Sequence, residues 1–234
     1  ETRYGNNTGG YKVMDALECL KRNRVKFNTL TVVHQENADH PQEIYKFLKD
    51  IGSQFMQFIP IVERQALEPV SKGETLVTPA HQLTTELTAW SVRPEQWGEF
   101  LCSIYDTWIQ RDVGKIYVQL FDVMLEAWSG FAPSLCIFRE NCGTNVVLES
   151  NGDLYSCDHY VYPQFRQGNI LEKPIGELVS SNTQQLFGLK KRIELTKTCI
   201  KCPYCFACNG DCPKHRFVEL PDERYKQSYL CQGY

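Results

Sequence analysis

The sequence predicts an α/β fold in two parts: the last βα units of a partial barrel, followed by a loop-rich α+β domain that metal holds together around a β-hairpin. Three observations carry this. Short apolar runs alternate with single helical stretches in the first sixty residues, which implies parallel strands covered by helices. Nine of the eleven cysteines then gather after residue 135 at short spacings, and an Asn151-Gly152 pair between β-forming runs marks a hairpin among them.

The elements follow in order. Residues 11–24 place Val13, Ala16, Leu17 and Leu20 at helical spacing and end in basic residues that complement the helix dipole. "KFNTLTVV" (26–33) reads as a strand, "HPQEIYKFLKDIG" (40–52) as a helix with a glycine stop, and "QFMQFIPIV" (54–62) as a second strand. Two strands cannot close a barrel, so the remaining units are expected before Glu1. Residues 63–82 contain Pro69, Gly73 and Pro79 without a sustained period and read as a connecting loop. Helices are predicted at 94–111 and 116–128, a hairpin at 145–157 that leaves Cys157 at the end of its returning strand, and helices at 174–181 and 183–195. The division is therefore 1–62 for the barrel units, 63–135 for a linker with bridging helices, and 136–234 for the cysteine-rich domain.

Bulk properties exclude some functions. Hydrophobic residues make up 42% and charged residues 23% of the 234, and no apolar run approaches the roughly 20 residues a membrane helix needs. Twenty-five basic against 28 acidic residues give a net charge of −3, which offers no broad surface for nucleic acid. The basic "LKKRIEL" (189–195) reads as a solvated helix face. The chain starts without methionine or a signal peptide and reads as a fragment. Bunched cysteines in a chain large enough to fold without disulfides suit reduced, metal-binding thiolates in the cytoplasm.

"TCIKCPYCFACNGDCPKH" (198–215) places Cys199, Cys202, Cys205, Cys208 and Cys212 within fourteen positions. A Cys-Pro-Tyr-Cys redox dithiol would need a strand-to-helix context, and its neighbouring thiols would scramble it. CxxC pairs could hold structural zinc, although this run looks beyond itself to Cys136, Cys142, Cys157 and Cys231. Cys202, Cys205, Cys208 and Cys212-Pro213 reproduce the bacterial ferredoxin spacing, but no second such run exists. Iron–sulfur ligation across distant segments fits this arithmetic best, and cages of that kind fold with their metal.

"NTLTVV", "QFIPIVE", "SLCIFRENCG", "LESNGDLYSCDHYVYP", "QGNI", "FGLKK" and "CNGDCPKHRF" run through nearly the whole chain. On these motifs the chain resembles the C-terminal part of anaerobic sulfatase-maturating enzymes, radical S-adenosylmethionine (SAM) proteins with a SPASM auxiliary-cluster domain. The resemblance implies that the barrel units belong to a partial (β/α) radical-SAM barrel. It also implies two [4Fe-4S] clusters, one held by Cys136, Cys142, Cys157 and Cys212, the other by Cys199, Cys202, Cys208 and Cys231. Cys205 is left without a role. Cys19 and Cys102, on predicted helices, are expected to be buried thiols.

The implied reaction oxidises a Cys or Ser of a sulfatase polypeptide to Cα-formylglycine. A further [4Fe-4S] cluster and S-adenosylmethionine, in the full-length parent, generate a radical that takes a Cβ hydrogen; an electron then leaves through the auxiliary clusters to an external donor or acceptor. The family's base follows the third cysteine of the first cluster, here Asp158, and shielding beside a cluster should raise its pKa. His159 is kept out of the metal set. Gln57, expected near the C-terminal end of a barrel strand, is a candidate to face cofactor or peptide, or else to line the core. The CxxxCxxC loop of radical chemistry is missing; Cys208, Cys212 and His215 imitate it at the wrong end of the chain. The segment alone is therefore not expected to turn over. Two other readings stand beside this one: a radical SAM/SPASM enzyme acting on another peptide, and a metal-stapled module that binds or regulates a sulfatase.

Overall fold

The computed structural model describes residues 8–67, 76–79 and 84–234. Helix α1 (Thr8–Arg22) leads into β1 (Thr29–Val33), α2 (Pro41–Asp50) and β2 (Phe55–Pro60). Strands β1 and β2 pair in parallel from Thr29↔Met56 to Val33↔Pro60, as alternating strands and helices predict. Within 63–82, the described residues form more than a loop: β3 (Arg64–Ala66) pairs antiparallel with β4 (Thr85–Leu87), and Gln65 bridges Leu76. Residues 68–75 and 80–82 of that predicted loop lie outside the described residues.

Helix α3 (Pro94–Arg111) starts with proline at its first position, where no N–H is needed. The expected helix at 116–128 is two elements. Tyr117 and Val118 form β5, which adds a third parallel strand beside β2, and α4 (Gln119–Trp128) follows directly. Sheet order is β1-β2-β5. Met56 and Phe58 of β2 point into a core with Tyr45, Trp97, Phe100, Ile104 and Trp108, while Leu30, Val32, Phe55 and Ile59 lie on the opposite, exposed face. Inside that core the phenol of Tyr45 and the ammonium of Lys49 donate to Asp112 Oδ2 at 2.8 and 2.7 Å. Burial would raise the pKa of Asp112, but these bonds and the charge of Lys49 outweigh it and hold the carboxyl below the usual range.

The cysteine-rich part is a hairpin with a third strand, four helices, a second strand pair and a series of short turns. Strands β6 (Val147–Leu148) and β7 (Asp153–Tyr155) pair antiparallel, and β8 (Arg166–Asn169) adds to β7. The Asn-Gly signal is answered by Gly152 at φ +87° and by Asn151 Oδ1 accepting from Asp153 N at 3.0 Å. Helices α5 (Ile175–Val179) and α6 (Asn182–Ile193) come next, α6 capped by Ser181, then α7 (Lys197–Lys201) and α8 (Cys205–Cys208). Strands β9 (Arg216–Val218) and β10 (Gln227–Ser228) lead to a 3-10 turn, Tyr229–Gly233, that docks on α3, with Gly98 and Gly233 back to back. Leu230 and Phe138 join the same core as β1 and β2. Cys19 and Cys102 lie on α1 and α3 as expected but are exposed, because each falls on the solvent side of its helix.

Candidate metal centre

Two groups of thiols emerge. Cys136 opens a 3-10 turn after Leu135, Cys142 lies in the following loop, Cys157 follows β7, and Cys212 precedes the Pro213–His215 turn. Burial raises the pKa of Cys142; it pushes Cys157 up to about 12 with help from Asp158, and raises Cys212 with help from Asp211. Beyond burial, Cys136 acts electrostatically on Cys142 and Cys157, and Cys157 on Cys212. Tyr160, raised by burial, also feels Cys212, Cys142 and Cys157. These four cysteines therefore share one neighbourhood.

The second group gathers around α7 and α8. Burial raises Cys205 and Cys231, and each also feels Cys199 and Cys202. Cys208 is pushed up to about 12 by burial, then by Asp211, and feels Cys231. Within the run 199–212, Cys212 is influenced by Cys157 of the first group, whereas Cys208 is influenced by Cys231, which in turn feels Cys199 and Cys202. Cys205 stands beside the second group as a fifth thiol.

Asp211 marks the divide. It is fully buried at φ +58°; Oδ2 is 2.8 Å from both His215 Nδ1 and Ser228 Oγ, while Oδ1 has no partner. Arg216 locks the turn by donating to the carbonyls of Gly210 (2.7 Å), Asn209 (2.9 Å) and Asp211 (3.2 Å), and to that of Lys191 (2.6 Å).

Helix α6 supports the first group from beneath. Gln184 donates to the carbonyls of Gly143 (2.7 Å) and Ser156 (3.1 Å), and the Cys142 amide donates to Gly188 O at 3.2 Å. Lys191, only 1% exposed, donates to the carbonyls of Cys136 (3.1 Å), Ile137 (2.7 Å) and Arg139. Positions 184, 188 and 191 share one helix face, so a single stripe grips all three segments that supply Cys136, Cys142 and Cys157. This corrects the reading of "LKKRIEL" as a solvated face: Lys190 and Arg192 are exposed, but Lys191 turns inward, and burial lowers its pKa to about 8. Sequence reasoning missed Gln184, Gly188 and Lys191; their i, i+4, i+7 spacing was the available signal.

Asp158 lies where the motif predicts, directly after Cys157, but it is exposed rather than shielded. Cys157 Sγ and the His159 amide each donate to Asp158 Oδ1 at 3.0 Å. Burial pushes its pKa up, yet these bonds and the charge of His159 prevail, leaving it lowered where the sequence argument expected it raised. Among the described residues, donor atoms of Cys157, Asp158 and His159 lie within 4.8 Å of one another. His159 Nδ1 also lies 3.4 Å from Cys212 Sγ. Gln57 stands apart, third of six residues in β2 rather than at its end; it bonds to Gln119 and lines a cleft of about 290 Å³ with Asn28, Tyr117 and Asp122.

The donor chemistry fits an iron–sulfur cluster. Each group offers at least four soft thiols, Cys212 buried, Cys231 exposed and the rest half-buried, where clustered thiolates without a cation would be unfavourable. Among the described residues no three thiols converge within 4.8 Å. The SPASM iron–sulfur cluster-binding domain matches residues 136–203. The serine-type anaerobic sulfatase-maturating enzyme of Bacteroides thetaiotaomicron is 42% identical over 95% of this chain and 53% of its own length.

Over nearly its whole length the chain is similar to anaerobic sulfatase-maturating enzymes.

The cysteine-type member from Clostridium perfringens is 29% identical over 95% of this chain and 56% of its own. The solved structure of native anSMEcpe with bound AdoMet and Cp18Cys peptide aligns with a TM-score of 0.77 at 29% identity, covering 96% of this chain and 58% of that one. The chain thus spans about half the length of the curated relatives it matches. Its fold matches that of this radical-SAM/SPASM structure, with a partial barrel sheet followed by a SPASM domain. No helix among the described residues is long and apolar enough to cross a membrane.

Proposed function

We propose that this chain is the auxiliary-cluster portion of a radical S-adenosylmethionine enzyme that oxidises a Cys or Ser of a sulfatase polypeptide to Cα-formylglycine. Cys136, Cys142, Cys157 and Cys212 would hold one [4Fe-4S] cluster, and Cys199, Cys202, Cys208 and Cys231 the other. When bound, these clusters supply one-electron redox sites inside the protein, from which an external carrier could draw or deliver electrons. The observation that carries the reading is the partition of eight thiols into two neighbourhoods on either side of Asp211, with Asp158 beside the first.

The proton chemistry falls to Asp158. Its exposed carboxylate can accept the thiol or hydroxyl proton of the substrate residue. The bond from Cys157 Sγ that now lowers its pKa requires a protonated thiol. As a metal-bound thiolate Cys157 could not donate, and its negative charge would push Asp158 upward, toward a better base. Gln57 would contact cofactor or peptide from the open sheet face. The division at 1–62, 63–135 and 136–234 stands with this reading, the middle part lending β5 to the barrel sheet. Eleven unpaired cysteines suit a reducing, cytoplasmic setting. Relatives of both serine and cysteine type support a substrate side chain of either kind.

Two experiments test it. Anaerobic reconstitution of this chain should give about eight iron and eight sulfide, the content of two four-iron clusters; stoichiometric zinc without sulfide would overturn the cluster assignment. In the full-length protein, Asp158→Asn should still cleave S-adenosylmethionine but form little formylglycine, and unchanged product would remove Asp158 as the base.

A further inference from the structure

Lys191 is a charge whose placement the ligand set leaves unexplained. It is 1% exposed, and among the described residues its ammonium hydrogen-bonds to no carboxylate; its partners are the carbonyls of Cys136, Ile137 and Arg139. Three acceptors around one nitrogen require three N–H donors, which only the protonated amine provides. Burying a cation against neutral dipoles costs several kcal/mol of hydration. Such a site is favourable once a neighbouring anion compensates it. The anionic neighbours able to do so are the first group's Cys142 and Cys212, followed by the buried carboxylate of Asp211, and Lys191 bonds directly to the backbone of Cys136.

The other charged groups here do not take its place. Arg216 bonds to four carbonyls of the turn between the groups and of α6, and it acts on Cys142 of the first group and on Cys205 beside the second, so it does not distinguish them. Asp211 adds negative charge and faces both groups, so it cannot distinguish them. Lys214 is paired with Glu63 at 2.6 Å. On the second group's side, the charged residues acting on Cys205 and Cys231 are Arg216, Glu140 and Asp211. Among the described residues, Lys191 is thus a buried cation that acts on the first group and not on the second.

We propose that Lys191 is a positioning residue with an electrostatic purpose: it fixes the Cys136 loop on α6 and sets the reduction potential of the first auxiliary cluster above the value its thiolates alone would give. A fixed positive charge favours the added electron, so the oxidised cluster becomes the better acceptor. This rests on the two-cluster reading and goes beyond it by making the clusters unequal.

The test is a redox titration of the full-length protein, anaerobically reconstituted, reduced stepwise with dithionite and followed by electron paramagnetic resonance. The first cluster's signal is identified as the component lost in Cys142→Ser. Lys191→Met removes charge at similar length, Lys191→Gln keeps polar contacts without charge, and Lys191→Arg keeps the charge. The neutral variants should lower the first cluster's reduction equilibrium at least tenfold, about 59 mV for one electron, with the second cluster unmoved and Lys191→Arg close to the parent. If the first cluster's potential is the same in all variants, the charge proposal is overturned while the cluster reading stands. If the neutral variants lose that cluster's iron and Lys191→Arg keeps it, the charge is needed for assembly, which supports the proposal. Loss in Lys191→Arg as well would reduce the residue to a steric strut and overturn it. A parent protein without the Cys142-dependent cluster would overturn the cluster reading and this inference together.

Discussion

Gly188→Ala offers the sharpest test of α6 as the support for the first cage. A methyl group there would lie under 3.0 Å from the Cys142 carbonyl oxygen and 3.1 Å from its carbon. Both are backbone atoms, so the loop itself must move, and the amide bond from Cys142 to Gly188 O is strained with it. Alanine gains about 1 kcal/mol of helix propensity over glycine. Against this stand roughly 1–3 kcal/mol for overpacking and about 1 kcal/mol for the weakened hydrogen bond. Net destabilisation of about 1–3 kcal/mol is expected, measurable by urea denaturation of the reconstituted chain, together with a fall from about eight iron atoms toward about four. Gly176→Ala on α5, where an added methyl group meets nothing within 4 Å, is the control and should gain up to about 1 kcal/mol. If Gly188→Ala gains stability like the control and keeps its iron, α6 does not hold the Cys142 loop.

Other outcomes follow from the same geometry. Cys205→Ser should keep both clusters, whereas Cys202→Ser should lose the second; iron and sulfide analysis decides, and an indispensable Cys205 would bring back the ferredoxin-like ligand set. Asp112→Asn should cost about 1–3 kcal/mol near neutrality by disturbing the bonds from Tyr45 and Lys49. Because the folded pKa of Asp112 is lowered, its contribution is complete above the unfolded value of about 3.9 and is lost as pH falls through the folded value. Denaturation midpoints of parent and variant should therefore converge on acidification below about pH 4, and a constant gap would refute this account. Gln184→Ala should leave the Gly143 and Ser156 carbonyls without their shared donor and reduce iron retention on dilution more than Gln185→Ala, whose side chain meets only Ser180 O.

Much of the fold was legible because local and tertiary preferences agree. The alternation of β1, α2 and β2 was readable from apolar periodicity, and the hairpin from Asn151-Gly152. Two-residue β5 was not, since Tyr117 and Val118 fit a helical stripe and only pairing with Phe55 and Met56 makes them a strand. Lys191 was misread because three consecutive basic residues look solvated, and nothing local announces three carbonyls waiting below. At the candidate centre, spacing alone favoured a run through Cys205; assigning Cys212 away from its neighbours took the resemblance, because the partners that separate them are 55 or more residues upstream. The exposure of Cys19 and Cys102 turns on which helix face meets solvent, which a lone cysteine does not reveal.

The proposed crossing of two ligand sets within residues 199–212 also bears on how metal would be taken up. Closing the first cage immobilises Cys212, and with it the turn through Asp211 that leads back to Cys208. The conformational entropy of ordering that turn is then already spent when the second cage closes. Binding at one site should strengthen binding at the other with little change of shape, so chains carrying a single cluster should be scarce at intermediate iron in native mass spectra.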